Sequence, residues 1–165
     1  MKIFRFEVVQ NFQSEREKIW EFISEPHNLN IITPPDMQFK ILSGAKPGEK
    51  MYAGQIITYT VRPLFHLPVT WVTEITHVRE GWYFVDEQRF GPYLFWHHQH
   101  ILEEIYGGIC MRDVIHYALP RFLVFPELFD NIIVRRRLMK IFSYRFQILE
   151  NKFASSISKH ETVRY

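Results

Sequence analysis

Residues 126–155 read PELFDNIIVRRRLMKIFSYRFQILENKFAS. Leu128, Ile132, Met139, Phe142, Phe146, Leu149 and Phe153 recur at spacings of three and four, broken once at Arg135. That period predicts one long amphipathic helix of roughly 28 residues, about 40 Å at 1.5 Å per residue. A helix of that length must bury its apolar stripe. What precedes it is a run of strand patterns with turn chemistry between them, near 37–43, 54–62, 68–78, 82–89, 93–105 and 109–118. The separators are Lys46-Pro47-Gly48, Pro63 to Pro68, Glu80-Gly81, Phe90-Gly91-Pro92 and Gly107-Gly108. Short turns of this kind join antiparallel neighbours, so the strands form a meander. One curved sheet offers one concave face, and the economical arrangement is a sheet gripping the helix.

Working outward, residues 3–12 alternate as a further strand, with Ile3, Phe4, Phe6, Val8 and Phe12 apolar. Ser14 followed by Glu17 has the spacing of a capping box, opening a short helix that carries Ile19, Trp20, Phe22 and Ile23 and ends at Pro26. His27 to Ile32 gives a second short helical turn, closed by Thr33-Pro34-Pro35. The fold class is therefore α+β: an antiparallel sheet of six to seven strands around a long C-terminal helix, with two short helices after the first strand. The tail from Lys159 to Tyr165 is polar and expected to fray.

Composition narrows the function. The chain has 165 residues, suited to one domain that holds a core without staples. Its single cysteine, Cys110, excludes an intrachain disulfide and is expected in the core. Met1 opens directly onto the alternating strand, so no signal peptide is expected and a cytoplasmic location is the default. Every apolar run is interrupted by charge before the length that membrane insertion needs. A net charge of +2 with scattered basic residues lacks the footprint of a nucleic-acid binder. Aromatic residues make up 16% of the chain, which implies an aromatic core or an aromatic-lined cavity.

Period two puts Trp96, His98 and His100 on one face of their strand, Phe84, Asp86 and Gln88 on one face of the strand before, and Met111, Asp113, Ile115 and Tyr117 on one face of the strand after. If the registers agree, Asp86, Gln88, His98, His100, Asp113 and Tyr117 form a polar wall able to orient a ligand's carbonyl or hydroxyl. A register slip would send each set to the other face, where the same residues would pin the strands or meet solvent. His98 and His100 at i and i+2 also suit a metal, with Asp113 or Glu87 completing the shell. No second cluster of ligand spacing accompanies them, and no metal is expected. No nucleophile elbow or phosphate cradle is present and no cofactor is expected; Gly107-Gly108 reads as a tight hairpin turn.

Tyr59, Phe65, Trp71, Trp82, Phe84, Tyr93, Phe95 and Trp96 are the aromatic candidates for a cavity lining, with Phe142 facing them from the helix. Core packing must claim a share of them. Pro63 to Pro68 is a candidate loop at the cavity mouth. Arg135-Arg136-Arg137 reads as a solvated face, or else Arg135, which falls on the stripe, enters the cavity to meet Asp113, Asp86 or an anionic head.

Phe84-Val85-Asp86-Glu87-Gln88, Gly91-Pro92-Tyr93, Trp96-His97-His98-Gln99-His100, Met111-Arg112-Asp113 with Tyr117 and Pro120, and Ile141-Phe142-Ser143-Tyr144-Arg145 resemble a bacterial ligand-binding subgroup of the START-like (SRPBCC) superfamily, which also includes the birch pollen allergen and the polyketide cyclases. The resemblance covers nearly the whole chain. It implies a single domain over residues 1–158 with the helix-grip fold and a cavity between sheet and helix. Function is open among three readings. The leading one is binding of a small hydrophobic or amphipathic molecule of lipid, sterol or polycyclic aromatic type, contacted by Tyr59, Trp71, Phe84, Asp86, Gln88, Trp96, His98, His100, Asp113, Tyr117, Arg135 and Phe142. The second is an enzyme of cyclase, dehydratase or hydrolase type, with His98 or His100 as base, Asp113 orienting it and Tyr117 donating to an oxyanion. The third is a regulatory interaction module, suggested by the cell-division-inhibitor-like names within the subgroup; it predicts a filled core and a conspicuous apolar surface patch.

Overall fold

The chain forms β1 (Phe4–Phe12), α1 (Arg16–Ile23), two 3-10 turns (Pro26–Asn30 and Pro35–Met37) and then β2 (Lys40–Ser43), β3 (Gln55–Val61), β4 (Val69–Arg79), β5 (Tyr83–Phe90), β6 (Phe95–Ile105) and β7 (Gly108–Ala118). A C-terminal helix closes it, built from α2 (Pro126–Phe129), a π turn (Asp130–Val134) and α3 (Arg135–Phe153). The computed structural model describes residues 2–63, 67–120 and 126–153. The centre of the expected mouth loop, Leu64 to His66 with Phe65, lies outside the described residues, as do the last helical positions expected near Ser155 and the polar tail.

The seven strands make one antiparallel sheet in the order β1-β7-β6-β5-β4-β3-β2. The meander is as the turn chemistry requires, and β1 returns to pair along its whole length with β7, Phe4 opposite Tyr117 and Phe12 opposite Ile109. β2 starts later than expected, at Lys40, because Pro35–Met37 coils into a 3-10 turn closed by Gln38 at φ 45°. Gly107, at φ 79°, makes the tight β6–β7 turn. Gly44, at φ 90°, sits where a Cβ would fall 1.8 Å from the Ile56 carbonyl oxygen, so only glycine fits beside β3.

The α1 cap differs from expectation. Glu15, not Ser14, is the N-cap residue, and no side chain caps the helix. Burial of Ile19, Trp20 and Phe22 holds it instead, packed with Phe12, Phe84, Leu102 and Leu149. A second apolar cluster gathers Phe4, Phe6, Ile115 and Tyr117 of the sheet against Val134, Leu138 and Phe142 of the helix. Among the described residues no helix is long and apolar enough to cross a membrane.

The helix carries the main correction. Leu128 and Ile132, expected in the buried stripe, are 58% and 48% exposed. The π turn accommodates an extra residue, with the Arg135 amide reaching back to the Asp130 carbonyl, and so rotates the N-terminal positions relative to the rest. The face that is buried runs through Asp130, Val134, Leu138, Phe142, Arg145 and Leu149. Asp130 accepts hydrogen bonds from the Tyr117 hydroxyl and from Arg135 Nε at 2.9 Å, and Arg135 also donates to the Arg5 carbonyl. Arg135 therefore braces the turn from outside and does not enter the space under the sheet. Arg137 is no free solvated residue either: it donates to the Pro63 and Arg62 carbonyls and pairs with Asp36.

Tyr117→Phe removes one donor from a buried carboxylate and is expected to cost about 1–3 kcal/mol. Urea unfolding checks it, and an unchanged midpoint would show that the phenol does not hold Asp130.

Candidate functional site

Register decides which polar groups meet. Asp86 lies opposite His98, and His100 lies opposite both Phe84 and Asp113. Directly opposed residues share a face, so three adjacent strands deliver Asp86, His98, His100 and Asp113 to one side of the sheet. That side is the one under α3. His98, His100 and Asp113 are buried, Asp113 completely.

The two imidazoles bridge the two carboxylates. Asp113 Oδ1 lies 2.9 Å from His98 Nε2 and 2.8 Å from His100 Nδ1. On the opposite ring edges, Asp86 Oδ2 lies 3.3 Å from His98 Nδ1 and 2.9 Å from His100 Nε2. The two imidazoles are tilted by 40° with centroids 3.7 Å apart, and Phe84 stacks on His100 at 4.0 Å. From the helix, Arg145 Nη1 reaches Asp113 Oδ1 at 3.1 Å while its guanidinium lies over the Phe142 ring. Trp96 Nε1 donates to the other oxygen of Asp86.

Burial opposes every charge here, and the pairings outweigh it. Desolvation alone would raise both carboxyls; Asp86 is nevertheless held well below the usual carboxylate range by His98 and His100, and Asp113 by Arg145 and the two imidazoles. Desolvation would lower His98, yet the carboxylates of Asp86 and Asp113 raise it above its ordinary value. The cluster is a buried knot of hydrogen-bonded ionisable groups that joins β5, β6, β7 and α3.

Beside it lies a cavity of about 190 Å³ between sheet and helix. Tyr59, Trp71, Phe84, Trp96 and Phe142 line it as expected, with Asp86, His98, His100 and Arg145 at one wall. Ile75 and Met111 of the sheet, Leu138, Ile141 and Leu149 of the helix, and Phe22, Leu29 and Ile32 from the segment after β1 close the rest. Pro63, at the edge of the expected mouth loop, also borders it. Two buried donors on lining residues, Trp71 Nε1 and Arg145 Nε, have no partner among the described residues, and neither has Asp113 Oδ2 behind the wall.

Three expected members stand elsewhere. Tyr117 donates to Asp130 in the core. Gln88 folds back on the β5–β6 turn, exchanging hydrogen bonds with the Tyr93 backbone. Arg135 is outside, as described. Glu87, weighed as a metal ligand, pairs with Arg89. Of the aromatic candidates, Trp82 is sandwiched by Arg16 and Arg79, and Phe95 is partly exposed beside His97. Arg145 is the residue that sequence reasoning missed. Its signal was position: three after Phe142 and four before Leu149, it falls on the stripe, but a charged residue was not counted there.

The fold and this inward wall define a helix-grip protein with a lined interior. TTHA0849 from Thermus thermophilus superimposes with a TM-score of 0.70 at 11% identity, covering 90% of this chain and 96% of that one. Major latex-like protein 151 from Panax ginseng gives 0.65 at 11% identity, over 92% and 97%. Ara h 8.0201 gives 0.61 at 15% identity, over 91% and 100%. The chain thus shares the helix-grip fold of these structures, as the sequence resemblance implied. No protein-family model matches the chain, and no curated protein does.

Two outcomes follow from the charge cluster. Because His98 is raised above its ordinary 6.5, its contribution is full below that pH and lost as pH rises through the raised value. Asp86 and Asp113 are lowered from 3.8, so theirs is full above about pH 4 and lost as pH falls. The stability gap between wild type and His98→Asn should therefore be widest between about pH 4 and 6.5 and narrow above it. Thermal melts of both from about pH 4 to 9 check this; a constant gap would contradict it. Arg145→Met removes the permanently charged partner of the buried Asp113 carboxylate and, with two imidazoles still beside it, should cost about 1–3 kcal/mol in chemical denaturation.

Proposed function

We propose that this protein binds a compact, mostly apolar molecule that carries a polar group, in the space between the sheet and the C-terminal helix, as a cytoplasmic carrier or receptor. The carrying observation is the cavity itself. Protein interiors are close-packed with few voids larger than a water, and a lined void of this size is costly unless it has an occupant. The wall of Asp86, His98, His100 and Arg145 supplies the polar end of the match. A carbonyl, carboxylate or hydroxyl group on the ligand would meet it.

Size refines the ligand class. A cavity of about 150 Å³ takes up benzene, and pockets for drug-sized molecules run to about 300–1,000 Å³. At about 190 Å³ the space suits a one- or two-ring compound better than a sterol or a long acyl chain. The enzyme reading loses its oxyanion donor with Tyr117 in the core, and the interaction-module reading required a filled interior.

Native mass spectrometry of the purified chain, followed by extraction of any passenger, is the direct test. In parallel, titration with 2-naphthoic acid should quench Trp71 and Trp96 fluorescence and saturate at one equivalent. Ile141→Trp, which fills the cavity from the helix side, should weaken that binding at least about tenfold, or 1.4 kcal/mol. A chain with no passenger and no saturable quenching by aromatic acids would overturn the proposal.

A further inference from the structure

We propose that Asp86, His98 and His100 form a binding site for one divalent transition-metal cation, with Asp113 as the outer acceptor that orients both imidazoles. The sequence reading expected no metal and named Asp113 or Glu87 as the third ligand; the register of β5 on β6 brings Asp86 instead.

Spacing is the first support. Asp86 Oδ2, one nitrogen of His98 and one of His100 all lie within 4.8 Å of one another. The two measured edges, 2.9 and 3.3 Å, lie close to the separation of about 3.3 Å that tetrahedral zinc imposes on ligands about 2.0–2.1 Å away. The third edge, between the two imidazole nitrogens, is no longer than 4.8 Å.

The outer layer is the second. Metal-bound histidines almost always donate their other ring N–H to a carboxylate or carbonyl, which fixes tautomer and ring plane. Here a single oxygen, Asp113 Oδ1, faces the far nitrogen of both rings, and Arg145 holds that oxygen from α3. Counting donors and acceptors leads to the same place. Once each imidazole donates to Asp113, its second nitrogen presents a lone pair to Asp86 Oδ2, so three acceptors converge and a positive species must sit among them. Two bridging protons can fill that role, at the cost of two imidazolium rings with centroids 3.7 Å apart; one dication fills it without that repulsion.

Donor chemistry names the class. Two imidazoles and a carboxylate suit zinc, cobalt or ferrous ions rather than magnesium or calcium, which prefer all-oxygen shells. All three ligands border the cavity, so the remaining coordination positions face it. The site does not depend on the apolar passenger proposed above and is tested without it.

The experiment is titration of Co²⁺ into chelator-stripped full-length protein, following ligand-field absorption, with Zn²⁺ as competitor. The expected result is a visible band that saturates at one equivalent and is displaced by Zn²⁺. Asp86→Asn and His100→Gln, with folding checked by circular dichroism, should each weaken binding more than about 100-fold, and Asp113→Asn about 10–100-fold. His97→Gln removes one half of the His97–His116 pair on the other face and should change nothing. If the ligand variants do not fold, imidazole nitrogen NMR of the wild type decides: Zn²⁺ should shift Nδ1 of His98 and Nε2 of His100. A wild type without a saturating band, a band lost in His97→Gln, or zinc shifts confined to other histidines would overturn the site.

Discussion

A carboxylate without access to water holds this molecule in register. Asp113 is 0% exposed, and a single one of its oxygens meets two imidazoles and a guanidinium. Burying an unpaired carboxylate costs several kcal/mol, so the sheet and the helix cannot slide past one another without stranding it. Shifting β6 on β7 by one residue would turn His100 away from Asp113, and rotating the helix would withdraw Arg145. Apolar contacts set how much the helix gains by docking; Asp113 sets where it docks.

The same knot explains why the interior is not solid. Leu149 packs into the apolar cluster around α1, while Val134, Leu138 and Phe142 pack into the cluster around β1 and β7. Arg145 lies between these two anchor regions. A helix pinned on either side of Arg145 over a curved sheet, with that long side chain and two imidazoles beneath it, leaves space unfilled beside them. The cavity is thus a consequence of where charge was placed, and the polar wall and the void form one device.

Much of this was legible in the chain. Turn residues marked the strands, and the three-and-four spacing marked the helix, because those signals are local. What failed was non-local or conformational. Leu128 and Ile132 were assigned to the buried face because an unbroken α-helical count was carried through a π turn, while the interruption at Arg135 was the visible trace of that turn. Arg145 was overlooked for the complementary reason: apolarity stood in for burial, and a charged residue on the stripe signals a buried partner rather than an error of phase. Period two correctly grouped His98 with His100, yet it could not show that Tyr117 would meet Asp130 or that Gln88 would fold onto Tyr93, since those partners come from helix docking and turn geometry.

Unpaired buried groups thin the margin of stability. Trp71 Nε1, Arg145 Nε and Asp113 Oδ2 each lie buried without a partner among the described residues, at about 1–3 kcal/mol apiece. Domains are stable by only about 5–15 kcal/mol, so such a penalty is a substantial fraction of the margin. An occupant of the cavity, as proposed, would add apolar contact with the rings that line the space, and its binding would stabilise the fold by mass action against that thin margin.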